Sequence, residues 1–205
     1  MVSGMTEQRD QSALDDTKEQ IRNLGKKYAD RLERARRIYI EERAAVLGLR
    51  RDDEYAIKSR VSEYYSIPYG AVCFAGSAQL GFSITKDRLF VPATSDLDVA
   101  CVDLGLFERA WTDIVSVTRA FTDETKFSGL KPQDIQLFKE SILRRGMIRV
   151  ELMPRSDQSN KWRLFEEGLS RRYTQLFGKI SCAIYMNEYA FCWKQDSTLQ
   201  EFLGA

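Results

Sequence analysis

The chain has 205 residues, 43% of them hydrophobic and 11% aromatic, with 31 Lys/Arg against 30 Asp/Glu. That suffices for one compact domain with a packed core and is short for two, and the net charge of +1 is not that of a nucleic-acid coat protein or an acidic tail. There is no histidine, which excludes histidine bases, histidine triads and histidine-ligated zinc and leaves Asp, Glu, Lys, Ser and Cys for any chemistry.

The N-terminal stretch MVSGMTEQRDQS is polar and lacks the apolar run of a signal peptide, and Met5 offers an alternative start. No apolar run approaches the ~20 residues of a membrane helix. Residues 7–48 predict one long helix, with Leu14, Ile21, Tyr28 and Ala35 repeating every seven and Leu24 and Ile38 on the adjoining line. Arg31 and Gly25 interrupt that pattern, so a helix packing on its own domain, on a protein partner or on another copy is expected rather than a sustained coiled coil. Residues 20–62 hold twelve Lys/Arg and seven Asp/Glu. This basic segment reads as a solvated face or as an RNA-contacting surface. Asp52, Asp53 and Glu54 supply first-turn charge to a second helix over 52–65, and the extension 1–66 ends before Pro68.

AVCFAG, 71–76, is a short buried strand closed by glycine. Ser77 can open a helical turn, 84–95 is loop-like, and 98–102 is a second strand. Helical patterns follow at 107–121 and from Pro132 to Arg145. Residues 147–153 predict a third strand stopped by Pro154, 158–177 a helix, 180–185 a fourth strand and 187–203 a last helix. The expected class is α/β (α+β), a mixed sheet with packed helices and a long N-terminal helical extension ahead of a 67–205 domain. Cys73, Cys101, Cys182 and Cys192 form no CxxC pair. They read as reduced, buried thiols, consistent with a cytoplasmic setting.

The chemistry concentrates in GSAQLGFSITKDRLFVPATSDLDVA, residues 76–100. Alternation along a strand turns Asp96 and Asp98 the same way, while Leu97, Val99 and Cys101 face the core. Two carboxylates this close repel each other and raise one pKa unless a cation sits between them. Mg²⁺ (or Mn²⁺) suits such a pair, because it takes oxygen ligands and keeps waters for phosphates to replace. Gly76 lets the backbone approach a ligand, and Ser77 adds a hydroxyl. The competing reading is a turn in which Asp96 caps locally and Asp98 pairs with a lysine.

Gly76-Ser77, a loop, then Ser95-Asp96-Leu97-Asp98-Val99 resembles the signature of the nucleotidyltransferase superfamily, the polymerase-β-like fold, in its small bacterial minimal form. The resemblance implies transfer of a nucleoside monophosphate from an NTP, ATP among them, to a hydroxyl of a protein, RNA or small molecule, in settings such as bacterial toxin–antitoxin or phage-defence systems. It implies Mg²⁺ held by Asp96, Asp98 and a third acid, with Gly76, Ser77 and Ser95 at the nucleotide. The third acid lies on a later strand of the sheet in that family, and Glu151 in MIRVELMP is the candidate; its alternative is an Arg149–Glu151 surface pair. This chain departs from the pattern in its eighteen residues between Ser77 and Asp96, in having Ala78, Gln79 and Leu80 where small members often carry a cation, and in a Glu at the third position. Lys86 and Arg88, in the long loop, are either triphosphate ligands or hairpin surface. A catalytically inert nucleotide-binding or protein-interaction module is the alternative function.

Overall fold

In the computed structural model, which describes residues 2–204 and their side chains from Gln11 onward, eight α-helices surround a four-stranded mixed sheet. The strands are β1 (Val72–Ala75), β4 (Leu97–Val102), β5 (Met147–Arg149) and β6 (Ile180–Tyr185). Their spatial order is β1-β4-β6-β5: β1 is antiparallel to β4, β4 parallel to β6, and β6 antiparallel to β5. β2 (Phe82–Ser83) and β3 (Arg88–Leu89) form a small separate hairpin, β3 inside the 84–95 stretch expected as loop and β2 just ahead of it. The protein is thus an α+β fold.

The sheet is covered on both faces because its strands alternate between two apolar sets. Val72, Phe74, Leu97, Val99, Ile148, Ile180, Cys182 and Ile184 meet α3 (Arg51–Tyr65), α5 (Leu104–Val117), α6 (Pro132–Arg145) and α7 (Asp157–Arg172) in the larger core. Cys73, Ala75, Ala100, Met147 and Tyr185 point the other way, toward α1 (Val2–Lys27), α2 (Arg31–Arg36) and α8 (Glu188–Leu203). A fully buried Phe or Ile in these layers contributes about 1.5–3 kcal/mol.

The single helix expected over 7–48 is four pieces, the last a 3-10 turn, Ala45–Leu47. α1 ends at Lys27, α2 begins after Asp30, whose side chain accepts from the Glu33 N–H, and Arg37–Glu41 is a π-helical turn. The wide turn leaves the Ile38 carbonyl unclaimed by the helix, and the buried Gln79 amide donates to it and to the Glu42 carbonyl. Leu14, Ile21, Ala35 and Ile38 are buried inside the chain's own second core, so that apolar line is not free for a partner. Gly25 does not break α1; it brings the helix against the Leu203 side chain. The extension is held further by Asp196 of α8, buried, which accepts from Arg31 at 2.6 Å and Arg34 at 2.5 Å. Among the described residues, seven of the twelve cations of 20–62 form ion pairs: Arg31, Arg34, Arg36, Arg37, Arg43, Arg50 and Lys58.

Three other boundaries differ from expectation. α5 stops at Val117, where the Thr118 hydroxyl bonds the Ile114 carbonyl and Arg119–Phe121 turn left-handed. α7 ends at Arg172 rather than 177. The strand expected over 147–153 ends at Arg149 and continues as a 3-10 turn, Val150–Leu152, after which Met153 is buried in the larger core. Beyond that point α7 covers the open edge of β6: Ser170 Oγ accepts from the Ile180 N–H at 2.8 Å and Glu166 Oε1 from the Cys182 N–H at 3.0 Å. Among the described residues no helix is long and apolar enough to cross a membrane, and all four cysteines are buried free thiols.

Candidate functional site

β1 runs straight into a short helix, α4 (Gly76–Leu80), with Gly76 at φ +63°. That left-handed turn belongs to glycine, and there is a second reason for it. A Cβ on Gly76 would lie 2.3 Å from Asp98 Oδ2. The register explains the approach, because Ala75 pairs with Asp98 across the antiparallel β1–β4 ladder. The glycine therefore exists where backbone and carboxylate must touch.

Asp96 is placed from the other side. The Ala93 N–H bonds the Leu176 carbonyl, the Gly178 N–H the Ser95 carbonyl and the Leu97 N–H the Lys179 carbonyl, extending the parallel β4–β6 pairing ahead of both strands. A Cβ on Gly178 would meet the Thr94 carbonyl oxygen at 2.6 Å and Asp96 Oδ1 at 3.2 Å. Ser95 spends its hydroxyl in this turn, accepting from the Val91 N–H at 3.0 Å.

These segments wall a cavity of about 400 Å³ that contains Gly76, Ser77, Ser95, Asp96 and Asp98, with Lys86 and Arg88 from the hairpin and Lys194, Gln195, Thr198 and Glu201 from α8. The long 78–95 loop thus carries two cations to the site. Ala78, Gln79 and Leu80, which stand where a cation was missing, are buried against the π-helical turn and the cores. On the other side of Asp98 a second cavity, about 280 Å³, is lined by Arg145, Arg149, Glu151 and Ser181 and shares Gly76, Asp98, Lys194 and Gln195 with the first.

Asp98 opens to solvent through the cavity mouth, but protein atoms crowd its carboxylate. That crowding is the main cause that raises its pKa above the ordinary carboxylate value. Lys194 and the hydrogen bond from the Ser181 hydroxyl, at 3.3 Å, oppose the rise, and Asp96 and Glu151 add to it. No lysine or arginine lies within ion-pair distance of Asp98 or Asp96 among the described residues. Lys194 is shifted down, first by burial, with Arg145 and Arg149 reinforcing the fall and Asp98 opposing it. Cys73, on the motif strand, is pushed up to about 11 by burial, which leaves it an unreactive thiol.

Glu151 stands apart from the aspartates. Continuing the β5–β6 register past Arg149 and Ala183 would set it opposite Ser181, in one row with Ala75 and Asp98. The strand ends first, in the 3-10 turn Val150–Leu152, and Glu151 lines only the second of the two cavities that Asp98 borders. Its oxygens engage Arg149 and Lys179, which is the surface pair weighed against the ligand role. The strand beside Asp98 is β6, and its residue on that face is Ser181. Among the described residues no three acidic or other ligating side chains cluster closely enough for a metal.

The donor set still fits a magnesium ion held with a nucleotide. Mg²⁺ characteristically takes one or two carboxylates and completes its shell with water and substrate phosphates. Two such carboxylates face one cavity here, and their mutual repulsion is part of what raises Asp98. The sequence pattern pointed to Asp96, Asp98, Gly76 and Ser77. It missed Lys194, Arg145 and Ser181. Lys194 carries a weak signal, a lysine closing the apolar run AFCW in α8; Arg145 and Ser181 carry none. Scans of this chain against protein-family models, the curated proteins and the solved structures found no match.

Proposed function

We propose that this protein is a metal-dependent nucleotidyltransferase that moves a nucleoside monophosphate from an NTP to a hydroxyl. The observation that carries the reading is the cavity in which Asp98 lies against the backbone of Gly76, with Asp96 and Ser77 beside it and Lys86, Arg88 and Lys194 around it. Asp96 and Asp98 would hold Mg²⁺ or Mn²⁺, which neutralises phosphate charge and acidifies the acceptor hydroxyl. Lys86, Arg88 and Lys194 neutralise the triphosphate, and Gly76 leaves room for it. The acceptor oxygen attacks the α-phosphorus, a new P–O bond forms, the bond from that phosphorus to the bridging oxygen breaks, and pyrophosphate leaves with the electron pair. The hydroxyl proton leaves to water, since Asp98 as a metal ligand is not free to take it. Glu151, held by Arg149 and Lys179, shapes the far wall rather than completing the metal pair.

The test is Mg²⁺-dependent release of pyrophosphate from each of the four NTPs, with Asp96→Asn and Asp98→Asn as controls. Release by wild type and its loss in both variants is the expected outcome. Equal background in all three proteins overturns the reading. One observation favours the alternative of an inert nucleotide-binding module: Ser181, not an acid, faces Asp98 from the neighbouring strand. That reading expects a non-hydrolysable ATP analogue to bind without turnover of ATP.

A further inference from the structure

The second cavity holds two arginines that the transfer reading leaves unused. Arg145 comes from the last turn of α6, Arg149 from the end of β5 and Lys194 from α8, and all three line the same 280 Å³ space. The carboxylates there are Asp98 and Glu151. Glu151 is engaged by Arg149 and Lys179. Arg145 and Lys194 have no ion pair or side-chain hydrogen bond among the described residues. Converging cations repel, and the two arginines accordingly add to the downward shift that burial imposes on Lys194. An arrangement that costs stability alone becomes favourable around an anion, and an arginine fork is suited to phosphate oxygens.

The position of this cavity tells which anion. It shares Asp98, Gly76, Lys194 and Gln195 with the nucleotide cavity, so the two spaces meet at those residues. A hydroxyl beside Asp98 in the second cavity faces an α-phosphorus beside Asp98 in the first. The floor is the sheet itself, with Met147, Ala183 and Tyr185, and a space of this size takes a sugar-phosphate-sized group rather than a folded chain. We infer that the acceptor is a phosphorylated small-molecule alcohol, its phosphate held by Arg145 and Arg149 and its hydroxyl set against Asp98. This rests on the nucleotidyltransferase reading for the identity of the neighbouring cavity.

The experiment uses the full chain, saturated with Mg²⁺ and a non-hydrolysable ATP analogue, and titrates it with adenosine 5′-monophosphate, with adenosine as the uncharged control. The monophosphate is expected to bind the loaded protein while adenosine binds at least tenfold more weakly. Arg145→Glu is expected to weaken monophosphate binding about tenfold or more and leave the affinity for the ATP analogue unchanged. Monophosphate binding that the analogue abolishes, or that Arg145→Glu does not alter, overturns the inference while the transfer reading stands. So does Arg145-dependent binding of a 5′-phosphorylated RNA oligonucleotide with none of the mononucleotide, which makes the acceptor a nucleic acid. If the analogue fails to bind wild type but the monophosphate still binds through Arg145, the anion cavity stands and the transfer reading falls. A thermal melt of Arg145→Glu that matches wild type rules out misfolding, and Arg145→Lys, which keeps the charge, is expected to restore part of the binding.

Discussion

Asp98 and Glu166 flank the same strand, β6, and burial raises the pKa of both. Glu166 reaches about 8, with burial the largest cause and the hydrogen bond from the Cys182 N–H opposing it. Its neighbours finish its chemistry: it accepts from a backbone donor that lost its strand partner when β5 stopped, and it lies 4% exposed. Asp98 has one long hydrogen bond from a serine, a glycine backbone pressed against it, and unspent cations facing it across two cavities. A raised carboxyl pKa therefore does not by itself mark a site. What separates the two is whether the surroundings close around the group or leave an opening with charge still to be satisfied.

The comparison breaks most decisively at Asp98. Asp98→Asn is expected to lower pyrophosphate release about 10³-fold, equivalent to roughly 4 kcal/mol of transition-state stabilisation. The same change touches a solvent-exposed side chain, so the melting temperature at pH 7.5 stays level. A fall in melting temperature would make Asp98 a structural acid like Glu166. Gly76→Ala, which forces a side chain onto Asp98 Oδ2 from a left-handed backbone position, is expected to reduce activity about 10²-fold, read in the same assay. Glu166→Ala reverses the pattern. It orphans the Cys182 N–H and is expected to cost about 2–3 kcal/mol in urea unfolding, with the nucleotide affinity of the folded protein kept.

The pH dependence sharpens the contrast. Because folding raises the Glu166 pKa from 4.5 to about 8, the folded state binds the extra proton. The stability this group contributes is full below about pH 4.5 and is lost as pH rises toward 8, by a few kcal/mol at most. Glu166→Gln keeps an oxygen for the Cys182 N–H and cannot titrate, so its urea midpoints between pH 5 and 8 are expected to fall less steeply than those of wild type. Parallel curves would place the raised pKa elsewhere. The smallest effect is at Glu151, where Glu151→Gln is expected to change activity only a few-fold; a loss equal to that of Asp98→Asn would restore it as the third metal acid.

Most strands and helices after residue 67 were legible because alternation and apolar spacing repeat within each segment, as in Ile180–Tyr185 and in α8. The long first helix was misread because Leu14 to Ala35 keeps a seven-residue rhythm across Lys27–Asp30, where the chain bends, and nothing local records that Asp196, 165 residues beyond Arg31, fastens the second piece. Glu151 was placed on a strand because MIRVEL alternates as strands do. The strand's end is decided by α7, whose Ser170 and Glu166 occupy the edge that β5 would have paired.

The amino-acid order alone determined the local pieces: a glycine closing the first strand, two aspartates on alternate positions entering an apolar strand, and the absence of histidine, since each is read from the chain itself. Only the folded molecule decided what meets them. Lys194, Arg145 and Ser181 come from segments 47 to 96 positions away from Asp98, and strand order and helix packing, which depend on contacts distant in sequence, bring them to it.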